Sequence, residues 1–206
     1  MNLVSFYRKN RTDVESKLSQ ISFWKKAVFG LLCCERAIPN YNYYSNSEQF
    51  GTPELLKEVM NNCWNSVLTQ QLEVSQTQME EYLQRLNTDE VTPDSSESIY
   101  ADAAQDVVIV VYDIVRFLLQ KEEKFIADIA MTCIETVEKY IFDTYGDVED
   151  NDSEYDEKML SFSELSQEMS IQSQQLDSLQ VNEVSQQLVE QLRAYHNGDK
   201  SNIGLS

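Results

Sequence analysis

Glycine and proline are scarce in this chain, with 5 glycines and 3 prolines among its 206 residues. Sandwiches, barrels and phosphate-binding folds use glycine in tight turns and wherever a backbone must approach another group closely. Hydrophobic residues make up 42% of the chain, which is enough for a packed core without metal or disulfide cross-links. The scarcity of glycine therefore favours an all-α protein.

Apolar residues recur at helical spacing along most of the chain. The clearest helix start is Thr52-Pro53-Glu54, which offers a capping hydroxyl, a proline at the first helical position and an early acid. Residues 99–120 form the most apolar segment. Its run Val107–Val111 is β-branched, but the apolar pattern continues for too long to be a typical strand. We predict a central helix there, in a bundle of about seven to nine helices.

We predict one helical domain over residues 1–206, with three segments outside the helices. Residues 1–10 are expected to be a loose N-terminal arm, before a first helix near Thr12 to Gln20. Residues 146–156 are expected to be an acidic loop. The tail 199–206 follows a helix stop at Asn197-Gly198. Because the tail carries an apolar residue, we expect it to dock against the body with Ile203 buried.

The four cysteines all fall within apolar periodic runs, at Cys33, Cys34, Cys63 and Cys133. No CxxC pair occurs, so the cysteines predict buried free thiols of a cytoplasmic protein and no zinc site. The apolar stretch 27–34 comes too late and ends in charged residues, unlike a secretory signal. No other apolar run approaches the ~18 residues that a membrane span needs. We therefore predict a cytoplasmic protein with no membrane partner.

Charge is distributed unevenly along the chain. Residues 1–36 contain seven basic and three acidic residues, and the rest contains nine and thirty-two, which together give the net charge of −19. Such a surface repels phosphate backbones, so no nucleic-acid partner is predicted. The basic segment 1–36 either binds an anion or offsets the acidic remainder within the fold. We favour the second interpretation.

Motifs for metals and cofactors are largely excluded. The single histidine, His196, cannot supply the ligands of a di-iron bundle or a multi-histidine zinc site. Residues 150–154 resemble the start of a calcium loop, but Tyr155 stands where glycine is needed and Ser161 where glutamate is needed. No phosphate-binding loop or nucleophile-elbow motif occurs. We predict no metal and no cofactor.

Two predicted helices carry rows of carboxylates that keep one enzymatic alternative open. All-α nucleotide pyrophosphatases hold Mg²⁺ with clustered carboxylates on adjacent helices, although the spacing here is not their paired ExxE and ExxD. The alternative function is thus a Mg-dependent hydrolase or nucleotide-binding enzyme, and the simpler interpretation is a solvent-facing polar stripe. The carboxylates concerned are Asp102, Asp106 and Asp113 on one helix and Glu123, Asp128, Glu135 and Glu138 on the next.

Short motifs near the two ends of the chain resemble the YjaG-like family of uncharacterised bacterial proteins. They are Leu32-Cys33-Cys34-Glu35-Arg36, Pro39-Asn40-Tyr41, Phe50-Gly51, Trp64 and the ending Ser201-Asn202-Ile203-Gly204. The resemblance covers essentially the whole chain and is weakest in the glutamine-rich segment. It implies an all-helical single domain in the bacterial cytoplasm. It brings no activity and no catalytic residues.

The candidate binding residues surround Pro39, which is expected to end or interrupt a helix. Their varied polar groups either orient a small ligand or a peptide, or merely cap the helix end. We predict that the tail docks beside this corner and helps to form a shallow pocket. Our leading hypothesis is a non-enzymatic binding or assembly protein with an unknown protein or small-molecule partner, and self-association into a homo-oligomer stays open. The residues are Glu35, Arg36, Asn40, Tyr41 and, from the tail, Asn202.

Overall fold

The computed structural model describes residues 3–95, 98–145, 155–195 and 200–205, and over these ranges it contains helices and no strands. The prediction of an all-α bundle of about seven to nine helices is confirmed. Within the described ranges there are nine helices: α1 (Leu3–Leu18), α2 (Phe23–Glu48), α3 (Pro53–Thr69), α4 (Gln76–Leu86), α5 (Ile99–Gln120), α6 (Lys124–Tyr145), α7 (Tyr155–Ser161), α8 (Ser163–Val181) and α9 (Gln186–Arg193).

Helix α5 lies at the centre of the bundle, packed against α2, α3, α4 and α6. The β-branched run Val107–Val111 belongs to this helix and is buried except at Ile109. Burial on several sides explains why the helix is apolar almost all round. Even so, none of the described helices combines the length and apolar character that crossing a membrane requires.

Gly30 lets α2 approach α5 and α6 closely. A Cβ atom at this position would lie 2.8 Å from Ile126 Cδ1 and 2.9 Å from Ile114 Cδ1. Glycine inside a helix costs about 1 kcal/mol relative to alanine. The close packing of three helices offsets that cost, so the glycine determines how tightly the core closes.

The N-terminal segment differs from the prediction of a loose arm over residues 1–10. Helix α1 begins at Leu3 and buries Val14 and Leu18. Arg11 Nη2 lies 2.8 Å from Asp128 Oδ1 on α6, and this ion pair helps to hold the helix in place. Such tertiary contacts order a segment whose polar sequence gave little helical periodicity. The predicted acidic loop 146–156 lies outside the described residues, except that α7 begins at Tyr155.

Helix α2 continues through Pro39, so the prediction that this residue interrupts a helix is wrong. Proline lacks an N–H and crowds the preceding turn, which usually breaks a helix. Here the buried rings of Tyr41 and Tyr44 anchor the following turns. In addition, the backbone N–H of Asn202 donates to the carbonyl of Arg36 at 3.0 Å. Proline removes the donor for the Glu35 carbonyl, four residues earlier, so the contact to Arg36 does not replace that bond. Together with the buried rings, it holds the helix in place around Pro39.

The basic residues of segment 1–36 are largely paired with acids from later helices. Five of the seven form ion pairs of this kind. The acids come from α6, α8 and the loops around them, so the pairs tie the N-terminal helices to the acidic remainder. This pattern supports the interpretation that the two charges offset each other within the fold. The pairs are Arg11–Asp128, Lys17–Asp177, Lys25–Glu183, Lys26–Glu123 and Arg36–Glu168.

Candidate functional site

Tyr41, a predicted site residue, is part of the core. Its ring is completely buried, its hydroxyl donates to Val91 O at 2.8 Å, and the same oxygen accepts from the Thr52 N–H at 3.2 Å. Gly51, with a φ of 77°, makes room for the tyrosine, since a Cβ atom there would lie 2.1 Å from its hydroxyl oxygen. Tyr41 therefore positions the start of α3 instead of facing a ligand.

Asn40 and Asn202 form a buried contact between α2 and the C-terminal tail. Asn40 Nδ2 donates to Asn202 Oδ1 at 2.9 Å, and Asn202 Nδ2 donates to Cys133 O on α6 at 3.0 Å. Asn40 is completely buried, and Ile203 beside the pair is only 6% exposed. The tail thus lies against α2 and α6, next to the segment Glu35–Tyr41. Its two asparagine contacts are structural.

Arg36 lies in the core and is bound by Glu168 of α8. Arg36 Nη2 and Nε donate to the two carboxylate oxygens of Glu168 at 2.7 Å and 3.1 Å, and both side chains are 2% exposed. Arg36 Nη1 donates to Gln175 Oε1 at 2.9 Å and to Leu32 O at 3.1 Å. Burial lowers the pKa of Arg36, but the charge and hydrogen bonds of Glu168 together with the neighbouring Cys33 and Cys133 raise it above its ordinary value, so the guanidinium stays protonated.

The four thiols are free and buried, in line with the prediction. Cys33 accepts a hydrogen bond from Arg36 Nη2 at 3.4 Å, and burial raises the pKa of Cys34 well above its ordinary value. Burial likewise raises the pKa of Cys63 to about 12. Buried protonated thiols are poor nucleophiles. Cys34 and Cys63 therefore act as small core residues.

Two adjoining cavities open along α2, next to this polar core. The first, here called the Arg36 cavity, has a volume of about 350 Å³ and is lined by residues of α2, α8 and α9. The second, here called the Trp64 cavity, has a volume of about 620 Å³ and lies between α2, α3 and α9. The two cavities share Glu35, Ile38 and Arg193 in their walls.

An ion pair between Glu35 and Arg193 forms the polar part of this shared wall. Arg193 donates from Nε to Glu35 Oε2 at 2.9 Å and from Nη2 to Glu35 Oε1 at 2.5 Å. The hydrogen bonds to Glu35 raise the pKa of Arg193. The guanidinium also lies over the ring of Trp64, with Cζ 4.7 Å from the ring centroid. Arg193 is thus oriented both by a carboxylate and by an aromatic face.

Trp64 carries a buried polar group that the fold does not satisfy. The residue is 7% exposed and lines the Trp64 cavity. Across the described residues, its indole Nε1 is one of three buried side-chain atoms without a hydrogen-bond partner. A buried tryptophan N–H usually finds an acceptor. Around it the cavity exposes the amides of Asn42, Asn61 and Asn65, which can both donate and accept.

Most of the carboxylates considered for Mg²⁺ have protein partners. Lys139 Nζ lies 3.2 Å from both Asp102 Oδ1 and Asp106 Oδ2, and Thr136 donates to Asp106 at 2.8 Å. Burial raises the pKa of Asp106, and the charge of Lys139 opposes this. No group of three or more potential metal ligands occurs among the described residues. His196 lies outside them.

The structure divides the predicted site residues into two groups. Glu35 and Arg36 line the cavities, whereas Asn40, Tyr41 and Asn202 hold helices and tail together. Sequence reasoning missed Arg193, which follows Glu35 by 158 positions and has no distinguishing motif. Trp64 lies in an apolar stripe of α3, and such a stripe in a sequence does not show that a residue also borders a cavity.

Comparisons with known proteins agree with this all-helical architecture. A family described as "Protein of unknown function (DUF416)" matches residues 13–206. A crystal structure of a DUF416 family protein from Shewanella baltica OS155 is similar, with a TM-score of 0.81 and 26% sequence identity. The similarity covers 93% of this chain and 97% of that one. None of the curated proteins compared matches the chain. The narrower resemblance to YjaG-like proteins stays a prediction, and the chain belongs to the DUF416 family.

Proposed function

We propose that this protein is a non-enzymatic binding protein whose ligand occupies the Trp64 cavity and extends past Glu35 and Arg193 into the Arg36 cavity. The observation that carries the proposal is that Trp64 lines a cavity of about 620 Å³, while its buried indole N–H has no acceptor among the described residues. Leaving a buried donor unpaired costs about 1–3 kcal/mol. A ligand acceptor would recover that cost.

The lining of the two cavities suits a small polar molecule with an apolar part. Ligand sites in proteins are mostly apolar clefts of about 300–1,000 Å³ with a few well-placed polar groups. Here Ile38, Met60 and Trp64 supply apolar surface, and Arg193 and the exposed asparagines supply polar groups. The arrangement favours a small molecule over a protein as the ligand. Self-association into a homo-oligomer stays a prediction.

The enzymatic alternative has less support. Among the carboxylates considered for Mg²⁺, Asp102, Asp106 and Asp128 already accept from Lys139, Thr136 or Arg11 within the fold. A metal would have to displace these partners before it could bind. The cytoplasmic location and the exclusion of nucleic-acid partners stay predictions from composition and charge.

Fluorescence of Trp64 gives a direct test. The chain has two tryptophans, and a Trp24→Phe variant leaves Trp64 as the single reporter. We expect a screen of small polar metabolites to find a compound that raises the Tm of the native chain and changes Trp64 emission. The same compound should bind at least about tenfold more weakly to an Arg193→Gln variant.

A matched control for this screen is Arg11→Gln. Arg11 is another half-exposed arginine bound to a carboxylate, and it lies on α1, outside the walls of both cavities. This variant should bind the compound like the native chain. If every stabilising compound acts equally on both variants, or if none changes Trp64 emission, the proposed site is wrong.

A further inference from the structure

The Glu35–Arg193 ion pair has the geometry of a carboxylate recognition site. Two parallel N–H donors of Arg193 meet the two oxygens of one carboxylate, at 2.9 Å and 2.5 Å. This forked arrangement is the one by which arginine recognises carboxylates, and lysine cannot reproduce it. Glu35 therefore occupies the position that the carboxylate of a ligand would take.

Little free energy is needed to separate the two side chains of this ion pair. The side chains of Arg193 and Glu35 are 45% and 30% exposed, so water competes for both of them. Exposed ion pairs contribute little to stability. The stacking of Arg193 on Trp64, at 4.7 Å, is a separate contact that keeps the guanidinium in place when Glu35 moves away. Arg193 can thus exchange one carboxylate for another while it stays on the tryptophan.

Charge balance determines what else the ligand must carry. The ionisable residues of the Trp64 cavity are Glu35, Glu54, Lys57 and Arg193, whose formal charges add to zero. A ligand with a carboxylate alone would leave Glu35 unpaired, in a protein of net charge −19. A ligand that also carries an ammonium group would pair with the released Glu35. The exchange is then neutral, with each charge matched by its opposite.

We propose that the site binds a zwitterionic α-amino acid, inserted between Glu35 and Arg193 with its carboxylate on Arg193 and its ammonium group on Glu35. This inference rests on the proposed function and specifies its ligand class. The side chain of the amino acid would lie against Ile38 and Met60, in the wall of the Trp64 cavity. An oxygen of the carboxylate would supply the acceptor that the indole N–H of Trp64 lacks.

The probes for a test are the twenty standard L-amino acids, added one at a time at about 10 mM to the full-length chain. Binding to the native state raises the free energy of unfolding with the logarithm of the ligand concentration relative to Kd. At least one amino acid should therefore raise Tm by several degrees. The best binder is then compared by calorimetry with its N-acetyl derivative and its carboxamide. Each derivative removes one of the two charges, and each should bind at least about tenfold more weakly.

Variants of the chain test which residue binds each charge of the ligand. Arg193→Lys keeps the positive charge but removes the two parallel N–H donors. It should weaken the binding of the free amino acid and of its N-acetyl derivative alike. Glu35→Gln removes both the partner of the ammonium group and the carboxylate that competes for Arg193. This variant should therefore bind the N-acetyl derivative more tightly than the native chain does and lose the preference for the free amino acid. Arg11→Lys is the matched control and should bind like the native chain. Far-UV circular dichroism verifies that each variant is folded, and the derivative comparison on the native chain needs no variant.

The outcomes separate this inference from the proposed function. If no amino acid raises Tm, or if the blocked derivatives bind as well as the free amino acid, the zwitterion inference is overturned. In either case a different compound that changes Trp64 emission and depends on Arg193 would leave the binding function standing. Failure of the wider metabolite screen as well would overturn both.

Discussion

Replacing Glu168 by glutamine should destabilise the protein severely. Arg36 and Glu168 are each 2% exposed and share two hydrogen bonds, so the variant leaves a guanidinium buried beside a neutral amide. Removing one partner of a buried pair costs about 3–5 kcal/mol, because the remaining charge loses its compensation. The free energy of unfolding of native domains is about 5–15 kcal/mol in total. The substitution therefore removes a third or more of the stability of an average domain.

Urea denaturation followed by far-UV circular dichroism measures this loss. The midpoint should fall while the slope stays constant, since the surface exposed on unfolding is unchanged. A double-mutant cycle with Arg36→Met tests the pairing itself, because removing both charges leaves neither buried alone. The double variant should lose clearly less than the sum of the two single losses.

Asp128→Asn is the matched control for the Glu168 variant. It removes a carboxylate bound to Arg11, but both side chains are about 40% exposed, so the expected loss is below about 1 kcal/mol. A loss below about 1 kcal/mol for Glu168→Gln as well would refute the reasoning. Such a small loss would mean that the guanidinium of Arg36 is solvated in the folded variant, although it is buried in the native structure.

Three further predictions concern stability. A chain that ends at Lys200 should lose about 2–4 kcal/mol, because Ile203 and the hydrogen bonds of Asn202 are buried; an unchanged Tm in calorimetry would contradict this. Gly30→Ala should cost about 1–3 kcal/mol in urea denaturation, since the new methyl group would meet two isoleucine side chains at less than 3 Å, and equal stability would show that the helices can separate freely. Burial raises the pKa of Cys63 from 9.0 to about 12 in the folded state, so the unfolded state loses this proton first and the free energy of unfolding falls as pH rises from 9.0 towards 12. The fall should be shallower in Cys63→Ala, and parallel curves would argue against the buried thiol as its source.

Much of the fold follows from apolar periodicity. The predicted segment 99–120 coincides with α5, because a helix packed by neighbours on several sides must be apolar along its length. The first half of α1 was not predicted, because few of its residues are buried and contacts with other helices, such as the Arg11–Asp128 ion pair, hold it in place. Pro39 was misjudged for a related reason, since the contacts that hold α2 in place around it, from buried rings and from a tail more than 160 positions later, are tertiary.

The candidate site could be predicted only in part. Arg36 within an apolar helical stretch indicates a buried cation that needs an acid, but nothing local selects Glu168 among 35 acidic residues. Glu35 and Arg193 meet because α9 packs back on α2, and that depends on the whole bundle. Polar residues at a cavity wall carry no periodicity of their own. Their type was visible in the sequence, whereas their partners required the tertiary structure.

The ion pairs between the two ends of the chain have a kinetic consequence. Arg36 and Glu168 are 132 positions apart, and Glu35 and Arg193 are 158 apart. All-α proteins usually fold fast because most of their contacts are local, and closing long loops slows the search. A collapsed intermediate of α2, α5 and α6 would hold Arg36 at its surface until α8 arrives. We therefore expect this bundle to fold more slowly than helical proteins of its size usually do, with docking of α8 as the late step.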